Sequence, residues 1–230
     1  MRLFAVDLHI HNKSSNRQAQ HKCLDLAGAA EYDEVIYGGD TWDRSAGEEG
    51  TLTDELTDRL RDLARRKTVT CIAGNFPHDD YGWLMSVADR LAPIRICKEV
   101  WEPRHRQLFT HGAQFDFTIS FWNNFRFVQR ILPGLIRTFL IQSPSSLANR
   151  GDYDALMKLT GPIHQRAQKS AIDNDITIFM GHTHLRQSLN AAPVHPHWVE
   201  VLGSMGSGPY TYMEWEAGKY EVKNLIGSTS

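Results

Sequence analysis

His182 and His184 stand two residues apart in "MGHTHLR" (180–186), directly after the apolar run "ITIFM". On an α-helix, positions i and i+2 point to nearly opposite sides, whereas in extended chain they project to the same side. "DITIFMG" has the β-branched, apolar character of a buried strand closed by Gly181, so the pair sits where a strand runs out. Four other apolar runs end in the same way: "RLFAV" in Asp7 and His9, "EVIYGG" in Asp40, "TVTCIAG" in Asn75 and "RQLFT" in His111. In open α/β sheets, ligands collect beyond the carboxyl ends of the strands, so neighbouring strands would bring these side chains into one crevice. Glycines at 39, 74, 112 and 181 let the backbone turn sharply or approach a ligand there.

The chemistry of the set is informative. Two aspartates, one asparagine and four histidines offer oxygen and nitrogen donors without a thiolate, which suits Mn²⁺, Fe or Zn²⁺ better than Ca²⁺ or Cu(I). Seven donors exceed what one catalytic zinc takes. They fit two ions about 3.5 to 4 Å apart that share a carboxylate, with Asp40 as the natural bridge. Such a pair polarises a phosphoryl oxygen and makes a bridging hydroxide available near neutral pH. A single histidine at a strand end is more often a core or loop residue than a ligand; the coincidence at five strand ends carries the reading.

The elements that must position these residues alternate. Between the strand runs, "AQHKCLDLAGAAEYD" and "TDELTDRLRDLARR" have helical spacing, the second with acidic residues early and arginines late, as the helix dipole favours. The result is a β-α-β rhythm, the pattern of a layered α/β fold. Near the end, "HWVEVLGS", "PYTYMEWE" and "GKYEVKNL" read as antiparallel strands finishing a sheet. The 230 residues are expected to form a single domain, 1–230. A net charge of −2 provides no overall basic field for nucleic acid. Cys23, Cys71 and Cys97 are odd in number and widely spaced, which fits a reducing cytoplasm better than a disulfide framework. "MRLFAVDLHIH" lacks the features of a signal peptide, and no apolar run reaches the roughly 18 to 20 residues that cross a bilayer.

Taken in order, "DLH", "GDTWD", "GN…HD", "HG" and "GHTH" resemble the motifs of the calcineurin-like metallophosphoesterase superfamily, over nearly the whole chain. The resemblance implies an α/β/β/α sandwich flanked by helices and two divalent transition metals, Mn²⁺ foremost with Fe or Zn²⁺ as alternatives. By its pattern Asp7, His9, Asp40 and His184 hold one ion, and Asp40, Asn75, His111 and His182 the other. That family usually has a histidine directly after the asparagine, where it helps to protonate the leaving group. Here Phe76 and Pro77 intervene before His78. The expectation is that His78 does this work from a shifted loop, with Asp79 orienting its imidazole. Asp43 is expected to orient a histidine rather than bind metal itself. Arg44 and Arg186 are the expected phosphate contacts by position.

Residues 117–170 form the long stretch between strand runs, read as a helical insertion. "FTISFWNNFRFVQRILPGLIRTFLIQ" (117–142) suggests a helix hairpin broken at Pro133-Gly134, either packing on the sheet or serving as a lid; "DYDALMKLTGPIHQRAQKSAID" follows as a further helix. As a lid it would govern substrate choice, its aromatics meeting an acyl chain or base, with peripheral membrane contact also open to it. Its place after "HG" is similar to that of the substrate-binding insertion in bacterial UDP-diacylglucosamine pyrophosphohydrolases. Those enzymes carry an arginine after the asparagine, so their substrate is not transferred. The expected activity is hydrolysis of a phosphomonoester or phosphodiester by the bridging hydroxide. A pyrophosphohydrolase for a nucleotide-linked or amphiphilic substrate is the alternative, and a non-catalytic scaffold the reading from another class.

Overall fold

The computed structural model describes residues 1–11, 15–44, 52–75, 78–116, 147, 152–190, 198–204 and 210–225. The hairpin expected at 117–142, and with it the choice between lid and packing element, lies outside these residues.

Among the described residues, eleven strands form two sheets. The first has the order β11(Lys219–Asn224), β10(Thr211–Glu216), β1(Arg2–Ala5), β2(Glu34–Gly38), β3(Thr68–Ile72) and β4(Arg95–Cys97). From β1 to β4 the strands are parallel, with Phe4 opposite Ile36 and Val35 opposite Val69; β10 and β11 join antiparallel. The second sheet has the order β5(Glu99–Glu102), β6(Gln107–Thr110), β7(Thr177–Met180), β9(Trp198–Val201) and β8(Gln187–Asn190). Its centre, β6-β7-β9, is parallel, and its outer strands are antiparallel.

The strand period of two sorts the side chains. On β1, Leu3 and Ala5 face a helical layer and join Val35, Tyr37, Val69 and Cys71 in one buried cluster, while Phe4 faces the other way with Val6, Ile36 and Ile72. Those inward side chains meet Phe109 and Phe179 of the second sheet, with the Phe4 and Phe109 rings edge-on at 5.3 Å. Burying such a side chain contributes roughly 1.5 to 3 kcal/mol, so the contact between sheets is a main source of stability. The far side of the second sheet, through Ile178, Met180, Val199 and Val201, packs on Ile163, Ala167 and Ala171 of a long helix. The layers are therefore helix, sheet, sheet, helix, as the resemblance implied.

The helices are α1(Arg17–Ala27), α2(Glu55–Ala64), α3(Tyr81–Ser86), α4(Ala88–Leu91) and α5(Tyr153–Asn174). Asn16, Asp54, Asp80 and Asp152 cap the starts of α1, α2, α3 and α5 with their side chains. α2 buries Leu56, Leu60 and Leu63 on one stripe and has Glu55 and Asp58 in its first turn. No helix among the described residues is long and apolar enough to cross a membrane.

Candidate metal centre

Loops leaving β1, β2 and β3 of one sheet and β6 and β7 of the other converge at one end of the sandwich. Asp7, His9, Asp40, Asn75, His111, His182 and His184 are all buried there, each at most 7 % exposed. Asp7, His9 and His184 form one group of closely spaced donors; Asp40, His111 and His182 form a second; His9, Asp43 and His78 form a third.

Five of the seven residues have left-handed backbone conformations: Asp7 (φ 51°), His9 (50°), Asp40 (46°), His182 (69°) and His184 (54°). Residues other than glycine avoid this region, at a cost of about 1 to 3 kcal/mol each, and hold it only where the surroundings impose it. The surroundings here are specific. The Gln20 amide, buried on α1, donates to both Leu8 O (2.7 Å) and His9 O (2.9 Å). Ser204 Oγ donates to Asp7 O at 3.0 Å, and the Asp7 and His9 amides donate to Gly39 O and Asp40 O. Two glycines make the room: a Cβ on Gly39 would run into the His111 ring, and one on Gly74 into the Asp40 carboxylate.

His111 Nδ1 is 3.1 Å from Gly38 O, which can only accept, so the tautomer that satisfies this carbonyl has its proton on Nδ1 and a lone pair on Nε2. That Nε2 faces Asn75 Oδ1 at 2.9 Å, Asp40 Oδ2 at 3.5 Å and His182 Nδ1 at 3.1 Å. In the other group, His9 Nε2 and His184 Nε2 are 3.5 Å apart in near-parallel rings, and Asp7 Oδ2 accepts from the His182 amide at 3.1 Å. Asp7 Oδ1 and His9 Nδ1 are buried with no hydrogen-bond partner among the described residues.

Burial drives the electrostatics. It pushes the His9 and His111 imidazoles down to about 4 and His184 well below its ordinary value, so all three are neutral at pH 7, the form that binds metal. Burial, reinforced by Asp40, raises Asp7 well above the usual carboxylate range. At Asp40 burial acts in the same sense, but the surrounding histidines, His111 first, outweigh it and hold the carboxyl below its ordinary value. A buried carboxylate and neutral imidazoles packed with their lone pairs together fit divalent ions, and the orphaned Asp7 oxygen fits the same conclusion.

His78 lies at this cluster, but its partners differ from those expected. Its Nδ1 is 3.7 Å from Asp43 Oδ1 and its Nε2 is 3.9 Å from Asp40 Oδ2. Asp79, expected to orient the imidazole, instead accepts from the backbone amides of Thr41 (2.7 Å), Trp42 (3.3 Å) and Gly74 (3.0 Å). It ties the Asp40 loop to the Asn75 loop, and burial raises its pKa well above the ordinary value. The carboxylate facing His78 Nδ1 is that of Asp43, the second aspartate of "GDTWD". Burial opposes the charged form of His78, yet Asp40 and Asp43 together push its pKa up to about 9.

Of the two arginines assigned to phosphate, Arg44 reaches Asp80 (3.1 Å) and lies over the Trp83 ring, which anchors the Asp40 loop to α3. Arg186 is exposed beside β11, 3.4 Å from Asn224. Asp116, Gln20 and His164 escaped the sequence reading. Asp116 Oδ2 is 3.1 Å from His182 Nε2, and His164 Nε2 on α5 is 3.1 Å from Oγ1 of Thr183, between the two "GHTH" histidines. The five-residue step from His111 to Asp116 was the available signal for the first; Gln20 and His164 are polar residues on buried helix stripes, visible only once those stripes are known.

Burial lowers His164 to about 4. Its folded pKa lies below its unfolded value of 6.5, so the unfolded chain takes up a proton that the folded chain refuses, and stability falls as pH drops from 6.5 toward 4. His164→Gln is therefore expected to flatten the stability–pH slope in that window by up to about 1.4 kcal/mol per pH unit. Urea titrations of both chains at pH 4.5 to 7 check this; parallel slopes would refute it.

No family model and no curated protein matches the sequence. Among solved structures the chain is similar to Yfce, a phosphoesterase from E. coli, at 17% identity over 97% of this chain and 92% of that one, with a TM-score of 0.51. A Vps29 single mutant from Entamoeba histolytica aligns at 15% identity over 96% of both chains, with a TM-score of 0.43. A protein of unknown function from Aquifex aeolicus aligns at 12% identity over 81% of both, with a TM-score of 0.44. By its layers, its sheet order and its likeness to the E. coli phosphoesterase, the chain has the two-sheet α/β/β/α fold of a metallophosphoesterase.

Proposed function

We propose that this chain is a calcineurin-like metallophosphoesterase that hydrolyses a phosphomonoester or phosphodiester with two divalent transition metals, manganese foremost. The observation that supports it is the meeting of lone pairs at His111: Nδ1 donates to Gly38 O, so Nε2 faces the Asn75 and Asp40 oxygens with no proton to share. Such a convergence is repulsive unless a cation lies among the donors. Asp7, His9, Asp40 and His184 would hold one ion, and Asp40, Asn75, His111 and His182 the second. Bound there, the ions supply Lewis acidity toward a phosphoryl oxygen and a nucleophile drawn from water.

The chain's own residues do the rest. Asp40 belongs to both sets and would offer a carboxylate to each. Burial of the donors excludes competing water and strengthens every charge interaction in the site. His78 holds a proton on the nitrogen that faces the cluster, available to the oxygen of the leaving group, and Asp43 keeps the ring turned that way. Neighbouring cations would draw its pKa down from about 9 toward neutrality, where an acid donates most readily. Arg186, exposed beyond the second "GHTH" histidine, is the cation we assign to the substrate's phosphate.

The test is turnover of a panel of phosphomonoesters, phosphodiesters and pyrophosphates by chain loaded with Mn²⁺, Fe²⁺ or Zn²⁺, alongside metal content. Hydrolysis dependent on added metal is expected. Two bound ions with no turnover on any class would favour a scaffold.

A further inference from the structure

We propose that Asp116 is a positioning residue that decides which nitrogen of His182 faces the second metal position, and so controls affinity for that ion. The inference rests on the two-metal reading for its consequence but not for its geometry. Both ring nitrogens of His182 are engaged: Nε2 is 3.1 Å from Asp116 Oδ2, and Nδ1 is 3.1 Å from His111 Nε2. A neutral imidazole carries one N–H, and an ionised carboxylate can only accept. With Asp116 in place, the proton belongs on Nε2 and Nδ1 presents a lone pair to the cluster.

Without Asp116 the same ring has a competing arrangement. The proton moves to Nδ1 and is donated to His111 Nε2, whose own proton is committed to Gly38 O. The two histidines then bond to each other across the position the ion needs. Asp116 thus keeps a pair of ligands from satisfying one another. The contact is sheltered, with His182 and Asp116 at 5 % and 8 % exposure, so the carboxylate exerts its preference at low dielectric.

Asp116 is itself held. It follows the 3₁₀ turn Ala113–Phe115, its amide donates to Ala113 O at 3.0 Å, and the Phe115 amide donates to Gly112 O at 3.0 Å. Arg166 on α5 donates to Phe115 O and fastens the turn to the helix that backs the second sheet. Placement of the carboxylate is therefore a property of the fold.

The experiment uses the full chain. Long-range ¹H–¹⁵N spectra of the metal-free protein read the tautomer of His182, and calorimetric titration with Mn²⁺ reads the affinity of each ion. Asp116→Ala is expected to move the His182 proton from Nε2 to Nδ1 and to weaken one of the two ions by about 10- to 100-fold while sparing the other, the usual effect of removing a partner of a metal-bound histidine. Asp116→Asn keeps the shape and an acceptor oxygen without the charge, guards against misfolding, and is expected to recover part of the loss. An unchanged tautomer, or equal weakening of both ions with Asn no better than Ala, would overturn the proposal. If the wild-type chain takes up no ion, the metal reading falls on its own, and the tautomer in Asp116→Ala still decides whether this carboxylate sets His182.

Discussion

Asp40→Ala is expected to lower metal content from two ions per chain to less than one and to reduce turnover by about 10³-fold or more, equivalent to about 4 kcal/mol of barrier. Asp40 is the one residue assigned to both ion positions, so its loss affects both. Its Oδ2 faces His111 Nε2 at 3.5 Å and His78 Nε2 at 3.9 Å, while its Oδ1 accepts the Asn75 amide at 3.1 Å. Removing the carboxylate takes away the proposed bridge and a negative charge beside the histidine cluster, and it leaves the Asn75 amide without that acceptor. Elemental analysis after loading and dialysis reads the stoichiometry, and a melting curve shows whether the variant still folds. A folded Asp40→Ala chain that keeps both ions would sink the bridging assignment. A wild-type chain that retains none after loading would sink the enzyme reading altogether.

Exchanging His78 for alanine is expected to slow hydrolysis of alkyl phosphates by about 10²-fold or more, with a much smaller loss on p-nitrophenyl esters, whose leaving group needs little protonation. Metal content is expected to stay at the wild-type level. Asp43 enters the same prediction. Because Asp40 and Asp43 raise His78 to about 9, the acid loses its proton only as pH rises through that folded value, or through the lower one set by bound cations. Asp43→Asn removes one of the carboxylates that raise it, so the alkaline limb of the pH–rate profile moves to lower pH; Asp79 contributes less to the same rise, so Asp79→Asn moves that limb by less. Equal and small losses of His78→Ala on both ester types would remove the acid role. A limb that follows Asp79 rather than Asp43 would reverse the pairing.

The strand ends were legible because their signal is local. "RLFAV", "EVIYGG", "TVTCIAG", "RQLFT" and "DITIFMG" lie within or close to the observed β1, β2, β3, β6 and β7, and each delivers its chemical residues to the same end of the sandwich. The capped, striped α2 was legible for the same reason. The short β4, β5 and β8 and the helix α3 were not, since three to six residues carry too little periodicity to stand out. Nor could the sequence show which aspartate meets His78. Asp43 and Asp79 are both plausible partners on paper; in the fold the His78 ring faces Asp43, while Asp79 accepts from the amides of Thr41, Trp42 and Gly74.

By itself, then, the order of residues determined the candidate donor set, its bias toward nitrogen and oxygen ligands, and the layered α/β class, because donor chemistry belongs to side-chain type and strand pattern to neighbours along the chain. Only the tertiary structure decided the rest. Left-handed backbone at Asp7, His9, Asp40, His182 and His184 is contrary to local preference, and at Asp7 and His9 the distant groups Gln20 and Ser204 hold it. The approach of His182 to His111, 71 residues away, follows from the parallel pairing of β6 with β7, and that of His184 to His9, 175 away, from the packing of Phe4 and Ile36 of one sheet on Phe109 and Phe179 of the other. Lone pairs that repel in isolation are pressed together there by apolar burial elsewhere in the molecule, and that balance is a property of the packed fold.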